Sequence, residues 1–237
     1  LWAVNADLGA STRPSAAGPK HLAAVGIYDL ATGAALNYVD LAPLAAGAHL
    51  LNGIALDFAG NAYVTDSFSP IIYKIDAHGQ ASVFLRSAQF LGDGINLNGL
   101  VVHPDGYLLV VKKSDGSLFR VPLDNPTRFS RVKTEIQFVG ADGLTLVGKK
   151  ALLLIANQTP TRASNAAFSL TSDDGWLSAQ LRATAPLGDV YPTTAARRGD
   201  ALYAVYSKLN ELIQAPTAQK ERLQTRAAIV QIGTVTH

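Results

Sequence analysis

The feature that most constrains this sequence is a repeat. Asn52-Gly-Ile-Ala-Leu-Asp, Asn98-Gly-Leu-Val-Val-His and Asp142-Gly-Leu-Thr-Leu-Val open three stretches that align without gaps. A fourth, Pro192 to Tyr206, keeps the register but lacks the Asn/Asp-Gly start, and the spacings are 46, 44 and 50 residues. Half a copy opens the chain, Leu1–Asn5 matching Ala62–Asp66. A period of this length marks repeat architectures, in which each unit buries its faces against its neighbours.

Each copy reads as short strands divided by turn residues. In the second copy these are Ile54–Asp57, Ala62–Thr65, Ile71–Ile75 and Ala81–Leu85, with turns at Gly60 and Gly79. The third offers Leu108–Val111, Ser117–Val121 and a weaker Thr134–Phe138, and the last Leu202–Tyr206 and Ala228–Ile232. Four antiparallel strands in 40–50 residues describe a β-propeller blade. A β-sandwich is the alternative, but its turns have no reason to recur in register with the same glycine. The expectation is an all-β propeller forming a single domain over residues 1–237, with about five blades' worth of chain. The first copy starts at its second strand and the last has three strands. A propeller must close to hide its sheet edges, so a closing strand and a blade are expected ahead of Leu1.

Composition narrows the partners. Twenty Lys and Arg against 18 Asp and Glu give a formal charge of +2, too little field to gather a phosphate backbone, so nucleic acid is excluded as a partner. No cysteine is present, which removes disulfides and thiolate metal sites. The longest apolar runs, Leu108–Val111 and Ala151–Ala156, fall far short of the roughly 20 residues of a membrane span. These features predict a soluble chain with no membrane partner, acting on a small molecule, with a protein partner as a further possibility. Abundant alanine and the lack of Cys and Met fit a periplasmic or secreted protein, with the cytoplasm as the alternative.

At Asn98-Gly-Leu with His103-Pro-Asp-Gly106, at Asn52-Gly-Ile and at Asp142-Gly-Leu, the chain resembles the senescence-marker-protein/gluconolactonase family, which includes the regucalcin-like propellers. The resemblance implies six blades and a divalent cation, usually calcium, at the channel mouth. By position it implies Asn52, Asn98 and Asp142 as metal ligands, with a glutamate expected from the segment ahead of Leu1.

Topology gives the same three residues a reason to meet. Inner strands of all blades surround one axis, so the residues that open them converge from one face. Amide and carboxylate oxygens are hard donors suited to calcium or a similar cation. The alternative is that Asn-Gly and Asp-Gly only shape turns. Because the second strand runs antiparallel to the first, Asp66, Lys112, Asn157 and Tyr206 are expected at the same mouth. Asp93 and Asn96 join them from the loop leading into Asn98. His49 is placed to reach the channel face, and His103 to lie away from it.

These residues predict metal-assisted hydrolysis of an ester or lactone. Asp142 is the expected catalytic group, and Lys112 the expected holder of an anionic substrate group. Lys113, its neighbour on an alternating strand, is expected to face away. Asp66, Asp93, Asn96, Asn157 and Tyr206 are the expected substrate-binding residues. The competing reading is a non-catalytic ligand- or protein-binding propeller, favoured by Gly53, where many relatives carry an acid, and by Pro192 at the fourth inner-strand start. A lyase on a related propeller ranks last, since no glutamate opens an inner strand. Leu209–Arg226 is expected to be a helical or irregular excursion, and Thr161–Thr171 a loop.

Overall fold

A computed structural model describes residues 1–9, 16–157, 159, 165–220 and 227–235. They form five antiparallel sheets, each a meander of consecutive strands. Blade one has β1 (Trp2–Ala6), β2 (Ala23–Tyr28) and β3 (Ala35–Asp40). Blade two has β4 (Leu51–Leu56), β5 (Ala62–Asp66), β6 (Ile71–Ile75) and β7 (Ala81–Arg86). Blade three has β8 (Leu97–His103), β9 (Tyr107–Lys112), β10 (Ser117–Pro122) and β11 (Ser130–Arg131). Blade four has β12 (Ala141–Gly148), β13 (Ala151–Ala156), β14 (Ala166–Thr171) and β15 (Gln180–Pro186). Blade five has β16 (Pro192–Arg198), β17 (Ala201–Tyr206) and β18 (Ala228–Thr234). The inner strands β4, β8, β12 and β16 pack side by side in that order, with β1 against β4.

The chain is thus a β-propeller of five blades among the described residues, not the six implied by the resemblance. Its first and last sheets have three strands each.

The core lies between blades rather than inside them, which explains the uninterrupted apolar runs. In β5, Ala62 and Val64 join Val25, Val39 and Leu41 of blade one and its connection, while Tyr63 joins Leu100, Leu108 and Val110 of blade three. In β9, Leu109 and Val111 turn the other way, toward Leu152, Leu154 and Phe168 of blade four. In β13, Leu153 and Ile155 face Ala195 of blade five. A strand with a neighbouring blade on each side buries both rows of side chains, so strict alternation of apolar and polar residues disappears.

Two expectations are corrected here, and a third, the helical excursion over 209–226, holds for its described part. Residues 134–138 are not a strand; the outer strand of blade three is the two-residue β11, and Thr134 Oγ1 donates to the Ile136 carbonyl within a turn (2.8 Å). Part of the supposed loop 161–171 is the buried strand β14; residues 160–164 lie outside the described residues. The 209–226 excursion contains two short helices, α1 (Leu209–Gln214) and α2 (Thr217–Lys220), and residues 221–226 of it are not described. No helix among the described residues is long and apolar enough to cross a membrane.

Aspartates close several outer turns by accepting backbone N–H groups, as Asp57 does from Ala59 and Asn61 and Asp76 from His78 and Gln80. Asp174 is the extreme case. The Ser178 hydroxyl and backbone N–H, then Ser172 and the Leu177 N–H, hold its carboxyl down at about 2, because each donates to the ionised form. A depressed carboxyl contributes stability above its unfolded value and loses it as pH falls through the folded one. Asp174→Asn is therefore expected to lower the melting temperature between neutral pH and pH 4, with the difference vanishing near pH 2. Thermal melts across that range check it, and a constant difference down to pH 2 would contradict the assignment.

Candidate functional site at the channel mouth

The first strand pair of blades two to five loses register at one place. The pairing skips between Leu51 and Ile54, Leu97 and Leu100, Ala141 and Gly143, and Pro192 and Thr194. A bulge puts one extra residue on the inner strand and re-aims its side chain. The residues at the four bulges are Asn52, Asn98, Asp142 and Thr193. All four line one cavity of about 310 Å³ at the propeller axis, with Gly53, Gly99, Gly143 and Thr194 beside them. The fourth position is therefore Thr193 and not Pro192: Pro192 pairs with Tyr206 as Leu51 pairs with Asp66. The polar residue thought missing there is present.

A chain of backbone hydrogen bonds girdles this mouth. Asn157 N–H donates to Gly140, Gly140 to Lys113, Lys113 to Asn96, Asn96 to Ser67 and Ser67 to Leu50, each between 2.8 and 3.0 Å. His49 N–H then donates to Lys20, and Lys20 to Asp7, both at 2.6 Å. The hoop fixes the residue just beyond the second strand in blades two to four, Ser67, Lys113 and Asn157, and the residue just beyond β1, Asp7, all buried. The Ser67, Lys113 and Asn157 side chains reach forward to the next inner strand. Ser67 Oγ takes a hydrogen bond from Asn52 Nδ2 (3.1 Å) and donates to the Leu97 carbonyl (2.5 Å).

Lys113 does more. Its ammonium lies 2.7 Å from Asp142 Oδ2 and also donates to Asn157 Oδ1. Asn157 Nδ2 in turn donates to Asp142 Oδ2 (2.6 Å) and to the Pro192 carbonyl (3.1 Å). The Tyr191 ring stands 5.6 Å from the ammonium. Its backbone is left-handed, with φ of 44°, a conformation that costs a non-glycine residue energy and persists where its surroundings over-determine it. Burial pushes the Asp142 carboxyl above the ordinary carboxylate range, with Lys113 and the Asn157 and Asn98 amides pulling against it. Burial and the Asp142 charge raise the Tyr191 hydroxyl.

The structure thus brings Asn52, Asn98, Asp142 and Asn157 together and leaves the other expected residues elsewhere. Lys112 and Lys113 take the opposite of the expected arrangement. Lys112 Nζ turns back into its own blade's entry loop, donating to the carbonyls of Leu91 (2.5 Å) and Gln89 (3.3 Å) and pairing with Asp115 (3.1 Å). The alternation was right, but the row facing the next blade is the axial one. Asp66 belongs to the same inward-turned row. It is fully buried and accepts from Leu50, Phe68 and Ser69 N–H and from His49 Nδ1 (2.7 Å). His49, with Nε2 on the Ala45 carbonyl, is a wedge under this loop and not a channel residue. Asn96 closes its own loop on Gly92, Gly94 and Ser114. Asp93 is exposed on that loop, and Tyr206 ends β17 half-buried. Sequence reasoning turned Lys113 away from the mouth and missed Thr193 and Tyr191. The position one past the second strand was the available signal for Lys113.

Three of the donors implied for a divalent ion converge, but their charge does not fit one. Asp142 is the one carboxylate among the residues lining the cavity, and it is already neutralised by Lys113. Calcium sites tune affinity through the number of ligand charges, and this set carries none in excess. At an effective dielectric of 20, like unit charges 4 Å apart cost about 4 kcal/mol. The donor set does not suit a metal.

No protein-family model and no curated protein matches the chain. Solved structures do. Regucalcin, a calcium-binding protein from Agrobacterium tumefaciens, superposes with a TM-score of 0.62 at 17% identity, over 89% of this chain and 69% of that one. The fold is that of the regucalcin and gluconolactonase propellers. A gluconolactonase from Xanthomonas campestris gives 0.55 at 20% identity, over 77% and 62%. Virginiamycin B lyase from Staphylococcus aureus gives 0.55 at 15% identity, over 87% and 67%. The chain spans between 62% and 69% of the length of these structures. Their fold matches the resemblance read from the repeats, and their differing chemistries leave activity to be argued from the site.

Proposed function

We propose that the chain is a small-molecule hydrolase of the lactonase or esterase type, acting at the mouth of the propeller channel. The observation that carries this reading is one polar cavity into which blades two to five direct Asn52, Asn98, Asp142 and Thr193, with the buried Lys113 paired to the Asp142 of its lining. The gluconolactonase likeness supports the substrate class.

Each group has a task in ester chemistry. A carboxyl raised by burial is a stronger base than a free one, so Asp142 takes a proton from water as the oxygen adds to the substrate carbonyl carbon. Negative charge then gathers on the carbonyl oxygen. The Lys113 ammonium and the Asn52 and Asn98 amides are the donors that stabilise it. Collapse breaks the C–O bond, and Asp142 returns its proton to the leaving alkoxide. No step passes through a metal ion.

A panel of lactones and aryl esters tests this. Turnover by the native chain, reduced about 100-fold or more in Asp142→Asn, is the expected result. No turnover above buffer across the panel, or equal turnover in the variant, would favour the binding propeller instead.

A further inference from the structure

We propose that Lys113 is a built-in cation: its ammonium holds the place at the channel mouth where the family resemblance puts a divalent ion, and this pocket is metal-independent. The inference concerns binding and stands whether or not the pocket turns a substrate over.

Three observations carry it. Lys113 is fixed rather than a wandering surface lysine: it is 7% exposed, and its backbone N–H and carbonyl are both links of the hoop around the mouth. Its charge is committed as well, since Nζ sits 2.7 Å from Asp142 and also donates to Asn157. Those two partners use two of the three ammonium hydrogens and leave one for a ligand oxygen. Finally, the carboxylate oxygen that faces Lys113 is already committed: Asp142 Oδ2 receives both Lys113 and Asn157.

The position is specific to one blade. At the equivalent place blade two has Ser67 and blade four Asn157, both neutral, and the first sheet has the acidic Asp7. Only blade three places a full positive charge there, opposite the one acid of the cavity. To enter, a divalent ion would have to break the buried ion pair or share the site with a fixed ammonium. A pocket with that charge accepts neutral or anionic small molecules, with Lys113 supplying the positive pole that a metal supplies elsewhere.

Calcium, magnesium and manganese are titrated by calorimetry and thermal melting into chelator-treated native chain, Asp142→Asn and Lys113→Ser, which copies the residue of blade two. The native chain is expected to show no saturable heat and no melting shift. Lys113→Ser, with Asp142 released, is expected to gain a calcium-dependent rise of about 5 °C or more at high excess of ion. Lys113→Asn, which also removes the ammonium charge and copies the residue of blade four, serves as a second variant if the serine variant does not fold, and the same outcomes apply to it. Saturable binding by the native chain that disappears in Asp142→Asn would overturn the proposal. So would failure of a folded Lys113 variant to gain calcium, because the lysine would then not be what excludes the ion.

Discussion

Replacing Lys113 by methionine is expected to lower the melting temperature by roughly 10 °C, and replacing Asp142 by asparagine in the same chain to restore most of the loss. The Lys113 and Asp142 side chains are only 9% and 15% exposed. Breaking a buried pair by removing one partner costs about 3–5 kcal/mol, since the remaining charge is left without a counter-charge. In a domain of this size each kcal/mol shifts the midpoint by about 2–4 °C. Methionine keeps the length of the lysine stem, so lost packing is a small part of the effect. The double variant removes the orphaned carboxylate and leaves an amide that Asn157 still reaches. Urea denaturation of the four chains measures the coupling directly. Additive single effects would show that the two side chains do not act as a pair, and would remove the base and the oxyanion donor from the mechanism together.

The second large effect is expected from Gly99→Ala. A Cβ added there would stand 2.4 Å from the Asp142 carbonyl oxygen and 3.0 Å from both Gly143 Cα and Leu144 N. These are backbone atoms of the next blade, so no side chain can rotate away. The seam between blades three and four must open, at about 1–3 kcal/mol for overpacking of this kind. The same seam carries Asn98 on one side and Asp142 on the other, so cavity geometry suffers along with stability. Gly148→Ala is the control, because nothing lies within 4 Å of its added Cβ. Both variants are compared by thermal melting and by turnover on the ester panel. A Gly99 variant as stable as the Gly148 one would mean that the inner strands do not approach as closely as described.

This clash gives the repeat its physical meaning. The Asn/Asp-Gly dipeptides looked like turn signals, but Gly53, Gly99 and Gly143 lie on inner strands. Gly53 meets the Asn98 carbonyl as Gly99 meets that of Asp142. The glycine is needed because inner strands crowd around the axis. The residue before it is polar because the bulge aims it into the channel. A single sequence carries the recurrence of these dipeptides and hence their convergence. It does not carry the bulge, which is why Pro192 was matched to Asn52 when Thr193 is the equivalent residue.

The two lysines show the same limit. That Lys112 and Lys113 face opposite ways follows from the period of a strand. Which of them faces the axis depends on the neighbour each row meets, and that neighbour is a loop about 20 residues back for Lys112 (Leu91) and a strand 29 residues on for Lys113 (Asp142). The same rule takes Asp66 out of the mouth, since it shares the row of Lys112.

What the sequence determined by itself was the architecture and one ring of the site. A recurring polar-Gly step at the start of an apolar strand points to a fold that repeats around an axis, and it places Asn52, Asn98 and Asp142 at its mouth. Tertiary structure alone decided the charge of that mouth. Whether Asp142 faces a metal or an ammonium depends on which of two adjacent lysines crosses the seam between blades. That choice is made by packing between strands far apart in the chain, where local periodicity has no say.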